Sequence, residues 1–189
     1  WRLDPWSLLL LAPRIKLEST WGNQALATGL VLRGGADLDL YELDATIPAD
    51  LLQQFMPVSL AGLFSLQLNP LKLREGLPVE GAGRLVWQQA SWNSPTGPVP
   101  LGSYAIDLSQ APGAAMVGDV ITLAGDVLAR GSVQLVGRAY GVDITVEGEG
   151  GLDERLQQAL ALLAQPVEAG FRVKLDGEFQ PAPGRGADL

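Results

Sequence analysis

The 189-residue chain contains neither cysteine nor histidine. Without cysteine there are no disulfides, no thiolate nucleophile and no cysteine-ligated metal. Without histidine the commonest general base and the commonest metal ligand are missing as well. Catalysis by a Ser–His or Cys–His pair is therefore excluded. We expect a protein that is not an enzyme and that holds no cofactor and no metal.

Positive charge is also scarce. Thirteen lysines and arginines face 21 acidic residues, and the net charge is −8. This balance argues against nucleic acids and anionic membrane surfaces as electrostatic partners, because both carry negative charge. Lysine occurs only at Lys16, Lys72 and Lys174, each inside a strand pattern. Those positions favour solvated strand faces over a catalytic Ser–Lys pair.

Two carboxylate pairs leave a glycosidase-like enzyme formally open. Asp37 with Asp39, and Glu147 with Glu149, are spaced two apart in strand patterns, so each pair shares a face of the sheet. Their alternation with apolar neighbours is typical of ordinary outward-facing positions. An enzyme of this kind is the interpretation we favour least.

Long apolar runs are missing too. The run at residues 8–11 is far shorter than the roughly 20 residues of a membrane-spanning helix, and no signal peptide is visible. Trp1 does not look like a natural start. We therefore interpret the sequence as a soluble piece of a longer protein.

Glycine, proline and alternating leucines dominate what is present. The chain has 23 glycines and 13 prolines, is 47% hydrophobic and is only 18% charged. Evenly spread turn residues between runs of period-two alternation predict about ten or eleven short-linked strands. Residues 93–100 (NSPTGPVP) are predicted to form a long turn. The alternation changes phase after Leu40 and resumes at Leu43, which predicts a bulge near Tyr41–Glu42.

Two segments have a helical pattern. From Leu152 to Leu163 leucines and alanines recur on one helical face, with Asp153 and Glu154 in the first turn. Residues 48–55 predict a second, short helix. The fold class is therefore mainly β, a curved antiparallel meandering sheet that covers itself as a partial barrel or sandwich. We expect one domain over residues 1–180 and a disordered tail at 181–189.

Five tryptophans lie in the first half of the chain, namely Trp1, Trp6, Trp21, Trp87 and Trp92. Such residues pack sheets, but they also bind partners and sugars. Packing is the favoured interpretation. Trp87 and Trp92 are the candidate binding residues, and Trp92, beside the predicted turn, is expected to be the most exposed.

Whole segments resemble one family. The text WRLDPWSLLL (1–10), DATIPADLL (44–52), SLAGLFSLQL (59–68) and ALALLAQPVEAGFRVKLDGEF (159–179) is similar to protein N of the bacterial type II secretion system. The resemblance implies an accessory component without known catalysis or cofactor. It also implies a cytoplasmic part and one transmembrane helix before Trp1, with the present chain periplasmic and anchored to the inner membrane.

Two functions from different classes follow. The first is an assembly module that binds the periplasmic domains of the secretin or the inner-membrane platform, since exposed edge strands accept a partner's strand. The second is a lipid- or lipoprotein-handling protein, because about ten leucine-faced strands with one helix either cover themselves or leave an apolar trough. An open trough would favour the lipid-handling function over the assembly function.

Overall fold

Every strand of the described chain belongs to one antiparallel sheet. The computed structural model describes residues 2–3, 14–34, 37–54 and 59–179. Within these ranges twelve strands pair in a single sheet. The strands are β1 Arg2–Leu3, β2 Arg14–Trp21, β3 Gln24–Gly34, β4 Asp37–Pro48, β5 Leu60–Arg74, β6 Leu77–Ser94, β7 Gly97–Gln110, β8 Met116–Ala124, β9 Val127–Val136, β10 Ala139–Gly148, β11 Gln165–Val167 and β12 Gly170–Glu178.

The order of the strands in the sheet follows their order in the chain from β1 to β10. β12 then pairs with β10, and β11 lies outside β12. The two ends of the sheet do not pair with each other, so it is not closed. The predicted fold class, a mainly β antiparallel meander, is confirmed. The predicted tail at residues 181–189 lies outside the described residues.

One α-helix interrupts the meander. Helix α1 runs from Glu154 to Leu163, between β10 and β11, as the 3.6-residue spacing predicts. Its N-cap is Asp153, whose carboxylate accepts a hydrogen bond from the Arg155 backbone N–H at 2.9 Å. The predicted short helix is present as a 3-10 helix at Ala49–Gln54, and its predicted last residue, Phe55, lies outside the described ranges.

Two local irregularities were predicted from the sequence, and the structure agrees with one prediction and contradicts the other. Glu42 adopts a positive φ of 50°, and the pairing of β3 with β4 shifts between Ala27 and Gly29, so the predicted bulge is confirmed. The predicted long turn at residues 93–100 is wrong. β6 continues to Ser94 and β7 starts at Gly97, where the Ser94 hydroxyl donates to the Gly97 carbonyl oxygen at 2.6 Å and closes a tight hairpin.

One face of the sheet is apolar across its width, and we call it the concave face. Leu66, Leu85, Ile106 and Val120 lie opposite one another on four successive strands. Further along the same face a second row begins at Leu43. It continues with Leu68, Leu108, Val133, Val142 and Leu175.

The opposite, convex face carries cross-strand ion pairs. Arg84 donates through Nη2 to Asp107 Oδ2 at 2.9 Å, and Arg172 pairs with Asp143. These partially exposed pairs turn charged side chains toward solvent, so one face of the sheet is apolar and the other is polar.

Strong curvature brings distant strands together. In a flat sheet β5 and β10 would lie five strand spacings apart, about 24 Å. Yet Phe64 of β5 and Ile144 of β10 line the same cavity. At Gly118 the curvature leaves no room for a side chain, because an added Cβ would lie 2.7 Å from both Ile106 Cγ2 and Val133 Cγ2. The sheet is therefore a partial barrel.

Candidate functional site

The curved sheet and α1 line an apolar cavity of about 270 Å³ that is open on one side. We call it the α1 cavity. Strands β5 to β10 form its wall, and Leu156 and Leu160 of the helix cover part of it. The side chains that line it are Phe64, Leu85, Trp87, Leu101, Tyr104, Ile106, Val120, Val127, Ala129, Ile144, Val146, Leu156 and Leu160. No charged group is among them.

Three aromatic rings form a row along one side of this cavity. Phe64, Trp87 and Tyr104 lie opposite one another on β5, β6 and β7. The Phe64 and Trp87 ring centroids are 5.3 Å apart in a stacked arrangement. Those of Trp87 and Tyr104 are 6.0 Å apart and tilted. Such spacing is favourable for aromatic pairs, so the row is a rigid wall.

The polar tips of these aromatic residues are already bonded. The Trp87 indole Nε1–H donates to the Ala61 carbonyl oxygen at 3.1 Å. The Tyr104 hydroxyl lies 2.7 Å from the Leu101 carbonyl oxygen and 2.8 Å from that of Val127, and it can donate to either. Neither tip needs a ligand, and what these residues present to the cavity is apolar.

Tyr104 is held neutral by its surroundings. It is 8% exposed, and burial raises its pKa to about 12 because the phenolate would be desolvated. At neutral pH it is therefore a protonated structural donor rather than an acid–base group.

Backbone pairing stops beside the cavity. β8 pairs with β9 only from Met116 to Val120, and beyond that point the two strands diverge. Thr122 replaces the missing ladder, since its hydroxyl accepts from the Ala129 N–H at 2.7 Å and donates to the Ala129 carbonyl oxygen at 3.0 Å. Two hydroxyl groups, from Tyr104 and Thr122, thus hold the start of β9 in place.

The structure separates the two candidate binding residues. Trp87 lines the α1 cavity. Trp92 lies beyond a bulge at Gln89, where φ is 50°, opposite Leu60 and Val99, and it is not among the lining residues. The expectation that Trp92 is the most exposed tryptophan is wrong. Trp92 is partly buried, whereas Trp21, at the β2–β3 hairpin, is 82% exposed.

Sequence reasoning did not assemble the rest of the cavity. Phe64, Tyr104, Leu156 and Leu160 each fit a strand or helix pattern, but their meeting depends on strand register and on curvature. The sequence carried one signal for this cavity: the period-two alternation places Phe64, Trp87 and Tyr104 on the inward-facing side of their strands.

A second depression, of about 500 Å³, is more polar. It lies between the edge of the sheet where β4 starts and β5 ends and the turn that joins β7 to β8. Its lining includes Asp37, Arg74 and Gln110. Gln110 Oε1 is buried without a hydrogen-bond partner there, while its Nε2 donates to the Pro78 and Ala114 carbonyl oxygens. Its described lining includes two carboxylates, Asp37 and Glu75, and Asp37 Oδ1 accepts a hydrogen bond from the Glu75 backbone N–H at 3.1 Å.

Neither a metal cluster nor a spanning helix is found in the part of the chain that the structure describes. No three His, Cys, Asp or Glu side chains converge there as metal ligands would. No helix in those ranges is long and apolar enough to cross a membrane.

The fold and the cavity together define the class of this protein. It is a β-protein built on one open, curved antiparallel sheet, and one helix partly covers the apolar concave face of that sheet. The family model for type II secretion system protein N matches residues 1–174. The chain belongs to that family and is a component of a protein-secretion machine. No curated protein and no solved structure matches it.

Proposed function

We propose that this chain is a non-catalytic accessory component that binds other parts of the type II secretion machine through the free edge of its sheet. Its partners on this proposal are periplasmic domains of the secretin or of the inner-membrane platform. The family resemblance supports a periplasmic location and an inner-membrane anchor that precedes Trp1. The observation that carries the proposal is the outer edge of β12.

Only a small part of that edge is occupied in the described chain. β11 pairs with Gly170, Phe171 and Arg172 of β12. From Val173 to Glu178 the outer side of β12 has no strand partner among the described residues. Six consecutive residues are enough for a short added strand, and unpaired edges of this kind are templates for strand addition.

The direction of the free backbone groups follows from the ladder. The Phe179 N–H donates to the Arg138 carbonyl oxygen at 2.9 Å, toward β10. Alternate residues of an antiparallel strand point to opposite neighbours. The backbone groups of Lys174, Asp176 and Glu178 therefore point outward. Pro166 of β11, which has no N–H, lies opposite Phe171, as this phase requires.

The side chains at the edge indicate what kind of strand fits. Leu175 and Phe179 are 52% and 55% exposed, while Lys174, Asp176 and Glu178 alternate with them. A partner strand with apolar side chains on the concave side would extend the apolar face by one strand. Mixed charges on the other side would set its register.

A proline at position 176 tests the proposal. Asp176→Pro removes an outward N–H and leaves the ladder to β10 intact, whereas Asp176→Ala keeps that N–H and serves as the matched control. Binding to purified periplasmic domains of the secretin and of the platform proteins is measured by calorimetry. We expect wild type and Asp176→Ala to bind one of them, and Asp176→Pro to bind at least about tenfold more weakly.

Equal binding by Asp176→Pro and Asp176→Ala would show that the edge of β12 is not the binding surface. Failure of the wild-type chain to bind any of these domains would contradict the assembly function itself. Circular dichroism and thermal unfolding of both variants show that the sheet is retained.

A further inference from the structure

We propose that the α1 cavity is a binding site for a single acyl chain of a fatty acid or glycerophospholipid. This inference is independent of the β12 edge, because the cavity lies on the concave face between β5 and β10. It gives the lipid-handling interpretation a specific site.

Water is a poor occupant of this cavity. An ordered water needs two to four polar partners, and the apolar wall of this cavity offers few of them. Among the described side chains that line it, the polar ones are Trp87 and Tyr104, and both already bond to backbone carbonyl oxygens. An unfilled cavity also leaves its lining without dispersion contacts on one side. An apolar ligand restores those contacts.

A peptide segment is a poor occupant for a different reason. Each residue of a peptide brings a backbone N–H and a C=O, which are costly to bury without partners. The tips of Trp87 and Tyr104 already donate to backbone carbonyl oxygens, and the other described lining side chains carry no donor or acceptor to meet them. A hydrocarbon chain brings neither group, so its chemistry matches a wall made of leucine, isoleucine, valine and aromatic rings.

The size of the cavity limits what enters. Its 270 Å³ is just below the range of about 300 to 1,000 Å³ typical of ligand pockets. It accommodates one chain rather than a whole lipid, so the headgroup lies outside.

The concave face extends the path of such a chain. Leu66, Leu68, Leu108 and Val133 continue the apolar surface beyond the cavity, and all except Leu68 are only partly buried. A chain longer than the cavity would cover these side chains and remove their apolar surface from water, which is favourable.

Tryptophan quenching tests the location. Trp87 lines the cavity and Trp92, on the same strand, does not. The probe is 9,10-dibromostearic acid, whose bromines quench an indole that they contact. We expect saturable quenching in wild type and in Trp92→Phe, and loss of at least half of it in Trp87→Phe. No saturable quenching of the wild type, or the same quenching in both variants, would overturn the site.

Filling the cavity tests its capacity. Ala129→Phe places a ring in the cavity, and Ala27→Phe adds the same ring at an exposed position of β3 outside it. With radiolabelled palmitate we expect at least a tenfold weaker Kd for Ala129→Phe and no change for Ala27→Phe. Equal weakening in both contradicts the proposal. If Ala129→Phe fails to fold by circular dichroism, the quenching comparison still decides.

Native mass spectrometry of the purified wild-type chain, with organic extraction of the same sample, identifies a natural occupant. A bound phospholipid or fatty acid supports the proposal. A bound peptide, or no bound lipid even after incubation with vesicles of phosphatidylethanolamine and phosphatidylcholine, contradicts it.

Discussion

The hydroxyl group of Tyr104 lies 2.8 Å from the carbonyl oxygen of Val127, 23 residues further along the chain. This contact spans the place where β8 and β9 no longer pair. A side chain of β7 thus anchors the first residue of β9 across the gap. The wall of the α1 cavity therefore depends on a phenol as well as on the backbone ladder.

Replacing this phenol should change the alkaline stability of the fold. Burial raises the pKa of Tyr104 to about 12 from 10.0, so the unfolded chain releases the proton first as pH rises. The stabilisation of the fold by the protonated Tyr104 phenol is complete below pH 10. It declines at up to about 1.4 kcal/mol per pH unit as pH approaches 12. We expect Tyr104→Phe to lose about 1–2 kcal/mol at pH 7.

Urea unfolding from pH 7 to 12 measures this effect. The free energy of unfolding should fall less steeply above pH 10 in Tyr104→Phe than in wild type. Identical slopes for the two proteins would show that Tyr104 is not buried as described.

The Thr122 hydroxyl makes the second bridge across the same gap. Thr122→Val keeps the shape of the side chain but leaves the Ala129 N–H without its acceptor. We expect a loss of about 1–3 kcal/mol and faster hydrogen exchange at the Ala129 amide. Thr122→Ser keeps the hydroxyl and should retain most of the amide protection. Unchanged exchange in Thr122→Val would mean that the bridge does not form.

The local pattern of the chain predicted its elements well where the cause was local. The phase change between Leu40 and Leu43 located the bulge, and the 3.6-residue spacing with Asp153 and Glu154 located α1. The tight hairpin after Ser94 was missed because proline and glycine dominate residues 93–100. Proline there is compatible with strand ends, and the extent of pairing between β6 and β7 decides how long the turn is.

The site was less predictable because it depends on long-range geometry. Trp87 is predicted to bind together with Trp92, but only Trp87 is among the lining residues of the cavity. Trp92 lies further along β6, opposite Leu60 and Val99. The Phe64–Trp87–Tyr104 row needs the register of three strands. The curvature that brings Ile144 close to Phe64 is a property of the whole sheet, and no single segment encodes it.

Gly118 provides a direct test of the curvature. Because an added Cβ would lie 2.7 Å from side-chain atoms on both neighbouring strands, we expect Gly118→Ala to cost about 1–3 kcal/mol. Gly141→Ala in β10 is the matched control, since its nearest atom would be 3.7 Å away. That change should be neutral or slightly stabilising. Chemical denaturation compares the two, and equal tolerance would contradict the tight curvature.

Asp39 makes acid stability depend on a buried carboxylate. Its surface is 0% exposed, and burial alone would raise its pKa. Hydrogen bonds from Arg74 and Arg33, each at 2.7 Å, outweigh burial and lower the pKa below 3.8. Its contribution is therefore present above pH 3.8 and is lost as pH falls through the folded-state pKa.

We expect Asp39→Asn to cost about 1–3 kcal/mol at pH 7 and less at pH 2.5. Asp107→Asn, which disrupts the more exposed pair with Arg84, should change stability little. Urea titrations at the two pH values test both expectations. A cost for Asp39→Asn that is independent of pH would show that its charge is not what matters.

The meander also has a consequence for folding kinetics. From β1 to β10 each strand pairs with the strand that precedes it in the chain, without a crossover connection. Because the strands are long, many pairs still join residues far apart in sequence, such as Leu60 and Trp92, so we expect folding at the slower rates typical of β proteins rather than those of helical bundles. The exception is β12, which returns past α1 and β11 to reach β10. The edge proposed to receive a partner therefore exists only once β12 has crossed back over this intervening segment and paired with β10.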